Sequence, residues 1–206
     1  MEILLVSPTE FEMEASSLLG FEKYVVGVGP VCAAIKMTQV LERKSPRLVI
    51  LFGVCGSYPD SGLSIGDVVI AKKEVFADIA RCFKDREEDI SILSAQDLTF
   101  DLRAQLGSLL GERLSDFLTV NFVTVCCSTM YKRRAERLAS RWNAKVENME
   151  GASIAKVCKM YNVSFLEIRS VSNIVCDPIE LWEFERAINA LKKQLTDIVN
   201  IIKRSL

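Results

Sequence analysis

The sequence predicts one α/β domain, a mixed and largely parallel central sheet flanked by helices. Three observations carry this. Strand-like runs of apolar and β-branched residues recur along most of the chain, helical patterns stand between several of them, and 206 residues suffice for one full core but are short for two. The strand-like runs are residues 3–7, 23–27, 48–52, 67–71, 74–77, 118–125 and 165–170. The first helix is expected over 30–43. It follows Gly-x-Gly, carries Pro30 in its first turn and ends before Ser45-Pro46. Helices are also expected over 130–142 and 150–161. The last is the clearest, because Phe184, Ala187, Ile188, Leu191, Leu195, Ile198, Val199 and Ile202 keep an i, i+3, i+4 stripe. Residues 81–101 carry Lys-Asp-Arg-Glu-Glu-Asp and weak alternation, and read as a surface excursion, a loop or lid, after a long hairpin.

Composition narrows the function. Half the residues are hydrophobic and 26% are charged, which is globular and not disordered. With 26 basic and 27 acidic residues the net charge is -1, so neither nucleic acid nor an anionic membrane is expected as a partner. The longest apolar run, Leu48 to Cys55, is far below the ~20 residues that span a bilayer. The N-terminal Met-Glu-Ile-Leu-Leu-Val-Ser-Pro lacks a basic n-region and reads as a first strand, so the expected compartment is the cytoplasm. The seven cysteines are Cys32, Cys55, Cys82, Cys126, Cys127, Cys158 and Cys176. No histidine accompanies them, so no metal site is expected and a thiol nucleophile would lack its usual base. Most sit in apolar runs such as Val125-Cys126-Cys127, and buried reduced thiols are expected.

In open α/β sheets, sites form where strands end, so the residues just past each strand matter most. Gly27-Val28-Gly29-Pro30 fails the dinucleotide fingerprint, since its third glycine would be Cys32. Gly53 and Gly56 follow an apolar strand and suggest close backbone approach to a ligand. Glu10 and Glu12 end the first strand. Either is explained by a helix dipole, and either could act as a base with a raised pKa. Glu150 stands where a strand passes into an apolar helix. It suits that helix N-terminus, and its two oxygens also suit a diol. Met149 beside it fills core or packs under a sugar. Arg133, Arg137 and Arg141 form one helical row, read as a solvated face.

The order of these motifs resembles the purine nucleoside phosphorylase/uridine phosphorylase superfamily. The features are Ser-Pro-Thr-Glu-Phe-Glu-Met-Glu, GVGPVCAA, the GSYPDSGLSIGDVVIAKKEVFADIA block, VENMEGASIA, and EIRSVSNIV followed by Trp182 in the final helix. VENMEG is shared in form with the methylthioadenosine/S-adenosylhomocysteine nucleosidases, and the GDVV…FAD block leans toward the futalosine hydrolases. The resemblance implies a nucleoside phosphorylase-like fold and a small-molecule nucleoside substrate. It also implies no cofactor and a homodimer or larger homo-oligomer. Glu12 matches the carboxylate that activates water, and Met149 and Glu150 match the pair that holds the ribose. Val54, Cys55 and Gly56 match the backbone turn near the sugar, and Tyr131 falls near the aromatic that covers the base. Asn173 falls where adenine nucleosidases place a proton-donating Asp, with Asp177 or a bound water as possible proton source. Cys32 stands where the family usually has Asn, and Asp177-Pro178 replaces an Arg-Asp pair.

A phosphorylase needs Arg or clustered donors for phosphate. Residues 7–12 and 27–32 contain no Arg, so water is the expected nucleophile, and the resemblance implies futalosine as the substrate. An adenine-releasing nucleosidase is the nearer alternative. A non-catalytic nucleoside-binding module is the other, and it would leave Glu12 and Glu150 far from any shared cavity.

Overall fold

The computed structural model describes residues 3–84, 86–88, 90, 93–176 and 182–205. Its elements are β1 (Ile3–Ser7), α1 (Glu10–Met13) with a 3-10 turn (Glu14–Ser16), β2 (Glu22–Val25), α2 (Pro30–Leu41), β3 (Leu48–Ser57) and β4 (Val68–Phe76). A small excursion follows: β5 (Arg81–Cys82), β6 (Glu87–Glu88), α3 (Ala95–Leu98) and β7 (Thr99–Asp101). Then come α4 (Arg103–Leu110) with a 3-10 turn (Gly111–Asp116), β8 (Leu118–Thr124), α5 (Lys132–Trp142), β9 (Ala144–Asn148), α6 (Gly151–Met160), β10 (Ser164–Ile174) and α7 (Phe184–Ser205). The expected single α/β domain with a mixed sheet between helices is the fold observed.

The sheet does more than lie open. β3 pairs in parallel with β1 and β10, β1 with β2, and β4 and β9 each with β8. Antiparallel pairings join β10 to β4 and the end of β3 to β9. Together β3, β10, β4, β8 and β9 close a ring, with β1 and β2 as a parallel extension from β3. Both faces are packed, so the central strands are apolar at consecutive positions. In β1, Leu4 and Val6 face one core with α2 and α6, while Ile3 and Leu5 face the other with α4 and α7.

Several expected bounds shift. The two runs at 67–71 and 74–77 are one strand, β4, whose pairing with β8 slips between Ala71 and Lys73. That irregularity at Lys72-Lys73 breaks the apolar pattern without ending the strand. The excursion at 81–101 is not all loop: β5 and β6 form a small hairpin, and β7 joins the main sheet beside β4 with Phe100 in the core. Trp182 precedes α7 and is not within it. Cys55 and Cys158 are buried as expected, but Cys32, Cys126 and Cys127 are exposed and Cys176 is half-buried. The run at 118–125 ends its buried part at Val125, after which the chain turns outward.

The α7 stripe is the largest helical contribution to the second core, with Leu191, Leu195, Ile198, Val199 and Ile202 all fully buried. Leu195→Ala is expected to cost about 2–5 kcal/mol of stability by cavity formation. Exposed Lys193→Ala should leave the denaturation midpoint nearly unchanged. Equal midpoints for the two variants in urea unfolding would contradict the packing described.

Candidate active site

The carboxyl ends of β1, β3, β9 and β10 open into one cavity of about 410 Å³. Glu12, Val54, Cys55, Gly56, Met149, Glu150 and Asn173 line it, so the two carboxylates share a site. Tyr131 does not line it. This residue caps the start of α5 and is 78% exposed, because the chain beyond β8 swings outward before the helix begins. Asp177 lies outside the described residues. A larger hollow of about 690 Å³ beside Lys73, Gln105, Trp142 and Lys159 holds none of these strand-end residues.

Glu12 is delivered by a one-turn helix. Thr9 caps α1: its hydroxyl accepts the Glu12 N–H at 3.2 Å and donates to Glu12 Oε2 at 2.7 Å. Glu12 Oε1 accepts the Val54 N–H at 2.9 Å. Glu10, one helical position from the cap, is exposed, so only Glu12 reaches the cavity. Burial raises the Glu12 pKa above the usual carboxylate value. Arg169, the Val54 N–H and Thr9 oppose the shift, and Glu150 adds to it.

Glu150 is the N-cap of α6. Its own N–H and that of Gly151 donate to Asn148 Oδ1 at 2.9 and 2.7 Å, which fixes the turn out of β9. Glu150 Oε1 accepts the Gly29 N–H at 2.9 Å. Carboxylate oxygens have about four acceptor sites between them, so this leaves capacity for a diol.

Arg169 is the residue that inspection of the sequence missed. It lies on β10, 1% exposed, and its guanidinium joins the site's acids. Nε donates to Glu167 at 2.9 Å, Nη2 to Glu150 Oε2 at 3.2 Å and Nη1 to the Val54 carbonyl at 3.3 Å, while Nη1 lies 4.0 Å from Glu12 Oε1. Burial disfavours its charge, but Glu167, Glu150 and Glu12 outweigh burial and hold it above its ordinary value. Gly53 is needed here. A Cβ at that position would collide with the Glu12 carboxylate and stand 2.9 Å from Arg169 Nη1. The close approach expected at Gly53 is therefore to the protein's own side chains. The missed signal was Glu167-Ile168-Arg169 inside an apolar strand, two charges on one face of a buried element.

At the far end, Asn173 is 5% exposed and its Oδ1 accepts from the Ser172 hydroxyl at 3.1 Å. Among the described residues no acceptor engages its amide nitrogen. Glu147 also lines the cavity, accepting from Tyr58 at 3.0 Å and from the Thr129 N–H at 2.8 Å, and burial raises its pKa. Arg134 and the Cys126 N–H both bond Asp78 at 2.6 Å, which pins the segment after β8. Phe11, Trp182 and Phe184 form an aromatic rim, with Trp182 stacked on Phe184 at 5.3 Å and Phe11 edge-on to Phe184 at 6.2 Å. Burial pushes the Cys55 thiol far above its ordinary value, so it is no nucleophile.

The chain that builds this site is similar to known proteins in sequence and in fold. Residues 15–204 match the model of the phosphorylase superfamily, and the chain belongs to that family. It is 30% identical to futalosine hydrolase of Thermus thermophilus, over 92% of each chain. It is also 30% identical to 5'-methylthioadenosine/S-adenosylhomocysteine nucleosidase of Psychromonas ingrahamii, over 87% of this chain and 79% of the other. Among solved structures, a futalosine hydrolase mutant of Helicobacter pylori shares the fold with a TM-score of 0.81 at 21% identity, covering 97% of this chain and 99% of that one. A mutant of the H. pylori nucleosidase with 5'-methylthioadenosine in its active site gives 0.80 at 20%, covering 97% and 98%.

The two carboxylates should separate in a nucleosidase assay. Glu12→Gln is expected to lower kcat by about 10²–10⁴-fold with little change in KM, and Glu150→Gln to damage both. Because burial raises the Glu12 pKa, kcat should fall as pH drops through a value above the usual carboxylate range, and this acid limb should vanish in Glu12→Gln. A near-normal kcat in Glu12→Gln would remove it as the base.

Proposed function

We propose that the chain is a futalosine hydrolase. Water attacks the anomeric carbon, Glu12 takes the water's proton, and the base leaves as hypoxanthine with dehypoxanthine futalosine as the other product. Glycosidic cleavage of this kind passes through an oxocarbenium-like state, which a nearby carboxylate stabilises. Glu150 accepts from the ribose 2′ and 3′ hydroxyls, with Met149 beneath the sugar, and Val54, Cys55 and Gly56 form the adjoining wall. The observation that carries this reading is that Glu12 and Glu150 line one cavity and are bridged by Arg169. It also counts against a binding module with scattered carboxylates.

Water is preferred to phosphate on charge. Among the described residues lining the cavity Arg169 is the one cation, and it is already committed to Glu167, Glu150 and the Val54 carbonyl. Three carboxylates, Glu12, Glu147 and Glu150, line the same space and would repel a phosphate dianion. The adenine-releasing reading remains the second one, supported by nucleosidase relatives at the same 30% identity. Asn173 favours the first. Its held oxygen leaves the amide NH₂ to donate to N7 or O6 of a 6-oxopurine, whereas adenine presents a donor at that position. The amide nitrogen cannot give up a proton, so the base is protonated by Asp177 or a bound water. The same reading places the reaction in menaquinone formation, in the cytoplasm; among the described residues no helix is long and apolar enough to cross a membrane. It also implies a homodimer or larger assembly, consistent with exposed Val28 at the cavity and exposed Val31 and Ile35 on α2.

Base release should run at full rate in phosphate-free buffer and yield free sugar. Strict phosphate dependence, or a sugar 1-phosphate product, would overturn the hydrolase reading. On the base, kcat/KM should be higher for futalosine than for aminofutalosine, and Asn173→Asp should reduce or reverse that preference. Equal rates on both substrates in the unmodified enzyme would end the Asn173 assignment.

A further inference from the structure

Two carboxylates beneath the cavity have no role in the reaction just described. Glu74 on β4 and Glu167 on β10 are both fully buried. Glu74 Oε1 accepts from the Val75 N–H at 3.1 Å and the Thr124 hydroxyl at 2.9 Å, and its Oε2 accepts from Asn148 Nδ2 at 3.0 Å. Glu167 Oε1 accepts from Arg169 Nε at 2.9 Å. Glu167 Oε2 has no donor among the described residues if every carboxyl is ionised.

The two groups meet over Gly151. A Cβ there would stand 2.6 Å from Glu74 Oε2 and 2.7 Å from Glu167 Oε1, and closer still to Glu167 Oε2. Only glycine leaves room for this meeting. Two bare carboxylates cannot share such a dry contact, because like charges at this range force one to keep its proton. The partners say which one. Glu167 lies against the Arg169 cation, while Glu74 has only neutral donors.

We propose that Glu74 is a neutral carboxylic acid that donates its proton to Glu167 Oε2, and that the pair is a positioning device for the site above it. One arm runs through Glu167 to Arg169, and so to Glu150 and Glu12. The other runs through Asn148, whose oxygen receives the Glu150 and Gly151 N–H groups, and through Thr124, whose hydroxyl receives the Ala152 N–H at 2.8 Å. Glu74 thus ties the cation and the first turn of α6 to one atom group.

The charge state matters as much as the geometry. With one proton the pair carries a single negative charge, which Glu167 directs at Arg169. Burial, and then Glu167, raise the Glu74 pKa well above the carboxylate range, in keeping with the assigned proton. The other ionisable groups bearing on the pair are Arg169 and Glu150, with the buried Cys55 thiol of β3 near Glu167, while Glu12 acts on Arg169. From β9, Glu147 engages Tyr58 and Thr129 instead. β8 contributes neutral Thr124, and α6, which packs on the same face of the sheet in the first core, contributes Gly151 and apolar Ala152.

The pair's role in catalysis rests on the reading of Glu12 as base, but its protonation can be measured without activity. The infrared difference spectrum of the intact protein minus Glu74→Gln at neutral pH should show the C=O band of a protonated carboxylic acid. Glutamine keeps the donor to Glu167 and the acceptor for Val75 and Thr124, and gives up only the contact from Asn148 Nδ2. Glu74→Gln should therefore leave the acid limb in place and lose far less kcat than Glu74→Leu. Glu74→Leu removes the donor and should lower kcat far more than it raises KM. The double variant Glu74→Gln, Glu167→Gln removes the pair's charge, so Arg169 acts more fully on Glu12 and the acid limb should move to lower pH.

The proposal is overturned if the difference band is absent, if Glu74→Gln is as impaired as Glu74→Leu, or if the double variant leaves the acid limb in place. Should Glu12→Gln retain kcat while the band is present, the general-base reading fails and the protonated pair stands.

Discussion

Arg169 enters the interior without water to solvate it, and the site is arranged around meeting that cost. A buried cation is tolerated only when its charge and its donors are matched. Here Glu167, Glu150 and the Val54 carbonyl take its N–H groups while Glu12 stands at 4.0 Å. The converse holds for the acids. Glu12 and Glu150 could not lie together in an apolar cavity as anions unless a cation stood between them. Removing Arg169 would leave buried carboxylates with no countercharge, so the loss would be of the constellation and not of one contact.

Strand geometry explains how distant residues reach this point. β10 is buried along nearly its whole length, and alternation puts Glu167 and Arg169 on the same face. Its end carries Ser172 and Asn173 to the opposite part of the cavity. β9 then delivers Asn148, and the turn into α6 delivers Glu150. Each functional side chain sits on a regular element or within a turn of one, so rigid secondary structure and not loop conformation sets the distances.

The strand ends were legible because apolar runs and their punctuation are local. Glu12, Met149 and Glu150 stand directly after such runs, and the cavity is built from them. What stayed hidden depends on partners far away in sequence. Glu74 lies among lysines and looks like surface, yet β7 and β8 flank it and the start of α6 covers it. Lys72-Lys73 made one bulged strand look like two. β7 was obscured by the charged stretch before it, although Phe100 is core. Tyr131 sits close in sequence to lining residue Ser128, but the helix start aims it at solvent. The exposed cysteines at 126 and 127 failed for a related reason: an apolar run ended sooner in space than in composition.

The closed ring of β3, β10, β4, β8 and β9 has a consequence for how such a protein can diverge. Strands in an open sheet can slide or splay at an edge, but each ring strand is hydrogen-bonded on both sides. The acid floor is therefore held by a hoop, and a change there is felt all the way round. The rim obeys no such restraint: Phe11 comes from a one-turn helix, and Trp182 and Phe184 from the entry to α7. Inheritance of the chemistry and drift of the preference are thus housed in different parts of the molecule. New substrates would be reached by trading rim side chains over an unaltered floor.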